Sequence, residues 1–313
     1  MTSNVLLIGG SGFIGRQIAA QLADHGHTVT IPSRNREAHR EQLLELPGLT
    51  LVEANVHDSS QLAELVPRHD AVVNLVGILQ GSTADFERVH VKLTERIVNA
   101  CAMAGVRRYL HMSALGADVN GPSRYQRSKG DGEAVVRASG LAWTIYRPSV
   151  VFGRGDSFLT VFAALQRLAP CVPLASSTAR FQPVWVGDVA RAFVTGIEQA
   201  QLAGHTLYLV GPRVYTLAEL VRYAGRVAGH RRLVFGLPDW AARLQASAMQ
   251  LLPNPPLSHD NLDSMKVDNV HAPGFAPELG WTPTALEAVA PGYLGSTRRF
   301  DTLRQHAHTP ARH

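Results

Sequence analysis

Four glycines crowd into seven residues after an apolar run: Gly9, Gly10, Gly12 and Gly15 in "NVLLIGGSGFIGRQ". Residues 5–8 are β-branched and aliphatic, the pattern of a buried parallel strand. Phe13, Ile14, Ile18 and Leu22 then recur near helical spacing, so a helix begins inside the glycine run. A strand feeding a helix through residues without side chains lets an anion reach the backbone and the free N–H groups of the helix N-terminus. Both G-x-G-x-x-G (Gly10, Gly12, Gly15) and G-x-x-G-x-x-G (Gly9, Gly12, Gly15) fit the spacing. Either one implies a nucleotide phosphate on that turn.

Strands and helices alternate from there. "HTVTIPSR" and "LTLVEANV" read as strands two and three, "SSQLAELV" as a short helix and "AVVNLVGIL" as strand four. A helix over 85–104, strand five in "RRYLHMSAL", a helix over 125–138 and strand six in "LAWTIYRPSVVFG" continue the series. This succession predicts an α/β fold with a Rossmann-type doubly wound parallel sheet and a smaller mixed C-terminal lobe. The expected division is a dinucleotide-binding core over 1–153, rejoined by 183–235, and a substrate-side lobe over 154–182 and 236–297. Residues 298–313 read as a mobile tail, in which His306 and His308 are unpacked polar residues rather than metal ligands. No metal is expected.

The 313 residues, 45% hydrophobic and 18% charged, suffice for a full core. The net charge of +5 comes from 27 arginines and 3 lysines against 25 acids. The arginines are scattered rather than gathered in a stripe, which argues against nucleic acid and fits an anionic small ligand. Cys101 and Cys171 stand alone, so a disulfide framework or cysteine zinc site is excluded and a reducing compartment is implied. No apolar stretch reaches the ~18 residues of a membrane span, and strand one follows Met1 too closely for a signal peptide. A cytoplasmic protein is expected, at most peripheral to a membrane.

In a dinucleotide fold, an acid about 20 residues beyond the glycines binds the ribose 2′-hydroxyl of NAD. Here strand two ends "IPSRNRE", and the residue 19 beyond Gly15 is Arg34. A guanidinium at that position pairs with the 2′-phosphate of NADP; Ser33 can donate a further hydrogen bond and Arg36 can assist. NADP(H) is therefore expected in preference to NAD(H), which the fold also admits.

"SRYQRSKGDGE" places Tyr125 and Lys129 four apart on one helix face. A free phenol, with a pKa of ~10, is a poor base at neutral pH, and a neighbouring ammonium favours its ionised form. The ammonium can also hold ribose hydroxyls. Ser113, at the end of strand five, is the candidate to polarise a substrate carbonyl beside Tyr125.

With these residues in view, the chain resembles the short-chain dehydrogenase/reductase superfamily. Within it, "SRYQRSKGDGEAVVR", "YRPSVVFGRGDSFL", "PVWVGDVARAF", "LPDWAARLQASAMQLLPNPPLS" and "LGWTPTALEAVAPGYL" are similar to an atypical branch. That branch contains the NADPH-binding accessory subunit of mitochondrial complex I and its bacterial relatives. The resemblance assigns Gly9, Gly12, Phe13, Ile14 and Gly15 to the cofactor turn, and Ser113, Tyr125 and Lys129 to catalysis. It sets Asn55 and Val56 beside the adenine, and Leu75, Val76 and Gly77 along the phosphate and ribose. Pro148, Ser149 and Val150 fall near the nicotinamide. Extended members carry Asn-Val where this chain has His90-Val91. His90 reads here as a satisfied helix histidine.

The leading expectation is an NADP(H)-dependent oxidoreductase acting on a carbonyl, hydroxyl or quinone-like substrate. The alternatives are a non-catalytic NADPH-binding accessory or assembly protein of a respiratory or quinone-synthesis complex, and a sugar-nucleotide epimerase or dehydratase. Residues 237–257 form an amphipathic helix with Trp240, Ala241, Leu244, Ala248, Leu251 and Leu252 on one face. That stripe is expected to pack on the lobe's own core and roof the pocket. A partner surface or a lipophilic substrate is the alternative occupant.

Overall fold

The computed structural model describes residues 2–35, 48–250 and 257–295. Arg36, Leu251, Leu252 and the expected tail with His306 and His308 lie outside the described residues. The opening apolar run is β1 (Asn4–Ile8), and the helix born in the glycines is α1 (Phe13–Asp24). The strands β2 (Thr28–Ser33), β3 (Leu49–Glu53), β4 (Ala71–Asn74), β5 (Arg108–Met112) and β6 (Ala142–Pro148) follow. Beyond them come β7 (Val151–Phe152), β8 (Cys171–Leu174), β9 (Arg180–Phe181), β10 (Val184–Trp185) and β11 (Thr206–Leu209). The helices are α2 (Ser59–Leu65), α3 (Thr83–Phe86), α4 (Leu93–Ala104), α5 (Arg124–Ala138) and α6 (Leu159–Leu168). They continue as α7 (Val186–Glu198), α8 (Leu217–Val227), α9 (Asp239–Met249) and α10 (His259–Ser264).

Seven strands form one parallel sheet in the order β11-β6-β5-β4-β1-β2-β3. The alternation of side chains along β1 assigns its two faces. Val5 and Leu7 join Ile18 and Leu22 of α1 and Phe193 of α7 on one side. Leu6 and Ile8 join Leu62 of α2 and Leu93 and Ile97 of α4 on the other. The doubly wound sheet expected from the alternation of elements is present. A further core gathers Phe152, Leu159, Val172, Leu220 and Val221, and a small one gathers Ala175, Ala242, Ala246 and Leu262.

Two strands are shorter than their apolar runs suggest. Strand four, expected through Leu79, ends at Asn74, whose side-chain oxygen accepts the Val76 N–H at 3.1 Å and turns the chain. Strand six ends at Pro148 because the Asn269 side chain captures Ser149 Oγ at 2.6 Å and the Val150 N–H at 3.3 Å. Val151 and Phe152 then pair with β10 instead.

The amphipathic helix is turned the other way from expectation. Ala242 and Ala246 face its small core, whereas Trp240 is 71% and Leu244 65% exposed. Small residues win because Ala242 and Ala246 allow α9 to lie close to Ala175 and Leu262. Trp240→Ser and Leu244→Ser should therefore each change stability by about 0.5 kcal/mol or less. Ala246→Leu, which overpacks a filled site, should cost about 1–3 kcal/mol in urea denaturation.

Candidate functional site

The strand order brings the C-terminal ends of β1, β2, β3, β4, β5 and β6 to one edge, and the glycine turn lies in the middle of it. Gly9 has φ +85°, a left-handed conformation that favours glycine. A Cβ on Gly15 would fall 2.5 Å from the Gly9 carbonyl and 2.6 Å from Gly10 Cα, so α1 can start there only without a side chain. A Cβ on Gly10 would strike Ile31 at 2.8 Å. Gly12 differs: its Cβ would meet nothing nearer than 3.4 Å. Internal packing explains three of the glycines. Gly12, the N-cap of α1, would hold a Cβ at ordinary contact distance, so packing alone does not require glycine there.

Arg34 follows β2 and is exposed, while Ser33 is buried with its hydroxyl accepting the Asn35 N–H at 3.2 Å. Asn55 follows β3, and its backbone N–H donates to Gln61 Oε1 at 2.7 Å. After β4, Leu75 and Val76 lie against Gly9, and Gly77 packs close to Lys129, whose Nζ would be 3.2 Å from a Cβ at Gly77. Phe13, Ile14, Val56 and the 148–150 segment join the same edge by their places after β1, β3 and β6.

Ser123 and Gln126 form a capping box that starts α5, one residue before the expected helix. Lys129 is 4% exposed, and its ammonium donates to the Met112 carbonyl at 3.1 Å. The Tyr125 ring stands edge-on to His90 and Phe86. No hydrogen bond joins its hydroxyl to Lys129 among the described residues. The anticipated lowering of the phenol by the ammonium does not follow from this geometry: burial dominates and pushes Tyr125 up to about 12. Burial pulls Lys129 down to about 8, against the partial restoring charge of Glu133. Tyr125 is thus a neutral phenol at pH 7.

Ser113 belongs to a different network. Its hydroxyl donates to the buried Glu133 carboxylate at 2.5 Å, which Arg147 holds through two bonds of 2.7 Å and Arg137 through one of 2.8 Å. The sequence reading overlooked Glu133, although it lies four residues after Lys129 on the same face.

His90 does more than satisfy itself. It sits in a π-helical segment, Glu87–Lys92, between α3 and α4. Its Nε2 accepts the Ile78 N–H at 3.1 Å, and its Nδ1 lies 2.8 Å from Ser128 Oγ. Ser128 gives its one hydroxyl proton to the Tyr125 carbonyl at 2.9 Å, so Nδ1 must be the donor to Ser128. The neutral ring therefore ties the loop after β4 to the backbone of Tyr125. Burial, aided by Lys129 and His111, holds His90 down to about 2, and burial holds His111 down to about 3.

Asp260 of α10 accepts the backbone N–H groups of Arg124 at 2.8 Å and Tyr125 at 3.1 Å, capping α5 from the C-terminal region. Nothing in "LSHDNL" signals this, because the partners are more than a hundred residues away. A cleft of about 340 Å³ beside α9, lined by Ser176, Asp239, Arg243 and Lys266, includes none of these residues.

The sequence model of a family described as NAD(P)H-binding matches residues 9–156, the span from the glycine turn to β7 and its following turn. The chain is 31% identical to mouse NADH dehydrogenase [ubiquinone] 1 alpha subcomplex subunit 9, over 96% of this chain and 79% of the relative. The chain belongs to the subunit 9 family. A ceramide reductase of Caulobacter vibrioides is 27% identical to it over 97% of this chain and 92% of its own length. A nucleoside-diphosphate-sugar epimerase from Staphylococcus aureus shares the fold, with a TM-score of 0.72 at 16% identity over 94% of this chain and 100% of that one. Among the described residues of this subunit 9 relative, no helix is long and apolar enough to cross a membrane.

His90 and His111 make the fold acid-sensitive. Both stay neutral when folded, whereas the unfolded chain binds a proton at each below about pH 6.5. Unfolding then takes up protons, so stability is lost as pH falls through that window, by about 1.4 kcal/mol per pH unit per histidine. Urea denaturation between pH 4 and 7 should show this slope, with one such contribution missing in His90→Gln. An unchanged slope in that variant would mean that His90 accepts a proton in the folded state.

Proposed function

We propose that the chain is an NADP(H)-dependent oxidoreductase that acts on a carbonyl, hydroxyl or quinone-like carbon. The observation that carries this reading is the neutral Tyr125 phenol one helical turn from the buried Lys129 ammonium, which lies close to Gly77 after β4. Bound nicotinamide supplies or accepts the hydride. Among the described residues Lys129 has one acceptor, the Met112 carbonyl, and its remaining N–H groups suit ribose hydroxyls. Tyr125, kept protonated by burial, suits a proton donor to the oxygen of a reduced carbonyl. The cap from Asp260 and the tie through Ser128 and His90 hold the tyrosine's backbone from two sides. The exposed Arg34 at the end of β2 favours NADP(H) over NAD(H).

A second reading, a non-catalytic NADPH-binding accessory of a respiratory assembly, draws on Ser113. Its hydroxyl is committed to Glu133 rather than offered to a substrate. The naming of relatives as NADH dehydrogenase subunits agrees with it. Such a protein would work in the compartment of that assembly, at the periphery of the membrane.

Mass spectrometry of the nucleotide that co-purifies, with calorimetry against NADPH and NADH, tests the cofactor. Arg34→Asp should weaken NADPH by about ten- to a hundredfold and NADH much less. Equal affinities in the unaltered protein would overturn the NADP(H) preference. Tyr125→Phe should retain NADPH binding and abolish reduction across a carbonyl and quinone panel, while Lys129→Ala should impair both. Turnover that survives in Tyr125→Phe would remove Tyr125 as proton donor. Tight NADPH binding with no turnover on any of the panel would favour the accessory reading.

A further inference from the structure

Leu233, Phe235, Trp240 and Leu244, four of the large apolar side chains that stay exposed, fall within twelve residues of chain. The strand Leu233–Gly236 pairs in parallel with β8, setting Leu233 opposite Cys171 and Phe235 opposite Pro173. Val234, Val172 and Leu174 point into the core shared with α6 and α8, so Leu233 and Phe235 stand on the outer face of the pair. Helix α9 starts three residues after this strand, and its Gln245 side chain donates to the Pro173 carbonyl at 3.3 Å. The stripe of Trp240 and Leu244 therefore adjoins the outer face of the strands. At the other end, the Arg232 N–H donates to Gln166 Oε1 at 3.3 Å and its Nε to the Gln166 carbonyl at 3.1 Å. That tie brings the end of α6, with the exposed Leu168, to the start of the strand.

The same surface carries positive charge. Arg167 precedes Leu168, and Arg231 and Arg232 precede Leu233; all three are exposed, and none pairs with a carboxylate among the described residues. Arg243 of α9 has only Asp263, at 3.9 Å. Across residues 228–246 Asp239 is the one acid against three arginines, and α6 carries no acid at all. Leu168, Leu233, Trp240 and Leu244 are each at least 65% exposed, so they protrude from the surface rather than line a groove. Protruding aliphatic side chains and an indole suit insertion at a bilayer interface, whereas a protein partner calls for a close-packed, shape-matched patch. Guanidinium groups without counter-ions beside them complement lipid phosphates.

We propose that the outer face of this strand pair, with Leu168 and the Trp240 and Leu244 stripe, docks the protein on an anionic phospholipid bilayer. The apolar side chains enter the boundary between headgroups and acyl chains, and Arg167, Arg231 and Arg232 meet the phosphates. Neither the apolar set nor the charge is large by itself, so the attachment is reversible and needs both. Salt screens the arginines and weakens it. Docking of this kind is compatible with either reading of the function and rests on neither.

The test uses the full chain in flotation assays with two kinds of vesicle, phosphatidylcholine alone and equal parts phosphatidylcholine and phosphatidylglycerol. The unaltered protein should bind the mixed vesicles at least about tenfold more tightly, and added salt should release it. Arg167→Gln with Arg231→Gln should remove about tenfold of that affinity and leave the weak binding to phosphatidylcholine unchanged. Trp240→Ser with Leu244→Ser should lose about tenfold or more on the mixed vesicles at an unchanged urea midpoint, which separates lost docking from lost folding. Lipids brominated on their acyl chains should quench part of the tryptophan emission, and Trp240→Phe should remove that part. No binding to mixed vesicles at low salt, or binding that survives both double substitutions, would overturn the proposal. So would self-association that Trp240→Ser with Leu244→Ser abolishes in a protein that ignores vesicles, because the face would then belong to a second copy of the chain.

Discussion

Helix α5 is held in place by charge rather than by apolar packing, and the candidate site depends on that. Its buried residues are Gln126, Ser128, Lys129, Gly130, Gly132, Glu133 and Val136, of which only Val136 has a sizeable apolar side chain. The Glu133 carboxylate supplies the anchor through the two-pronged contact with Arg147 on β6. An intact buried ion pair adds little over well-packed apolar residues, but a broken one costs about 3–5 kcal/mol. The pair therefore acts on position more than on stability. Any slip of α5 along the sheet would strand Glu133 without its guanidinium, and Tyr125 and Lys129 would move with it.

Glycine makes the same close approach possible on both flanks of the site. Gly130 and Gly132 have no room for a Cβ, at 2.5 Å from the Val119 nitrogen and 2.6 Å from the His90 carbonyl. These contacts let α5 touch the loop after β5 and the π segment that carries His90. His90, carried on this π turn, meets both Ile78 and Ser128. At the turn after β1, Gly15 does for α1 what Gly130 and Gly132 do for α5.

Much of the fold was readable because it rests on local patterns. Apolar runs near four to eight residues and helical spacing after the glycines each depend on neighbours in the chain. The exceptions have identifiable causes. Strands four and six ran too long in the reading because Asn74 and Asn269 interrupt them with side-chain hydrogen bonds, which hydropathy does not register. The face of α9 was misassigned because Trp240 and Leu244 outweigh two alanines on any apolar scale, while packing distance favours Ala242 and Ala246.

The glycine spacing, the Tyr125-Lys129 interval and Arg34 at the end of strand two were all present in the one-dimensional order of residues. That order determined the sheet, the nucleotide edge and the chemical groups available on it. Each of these signals spans a single strand–turn–helix unit, within which spacing and spatial position are equivalent. Tertiary structure alone decided how those groups behave. It surrounded Tyr125 and Lys129 so that desolvation sets the direction of both shifts, and it gave the Ser113 hydroxyl to Glu133. It capped α5 with Asp260 from 135 residues away and left His57 Nδ1 without a partner among the described residues. Protonation and hydrogen-bond choice depend on what surrounds a group in three dimensions, and chain order carries no record of neighbours brought together only by folding.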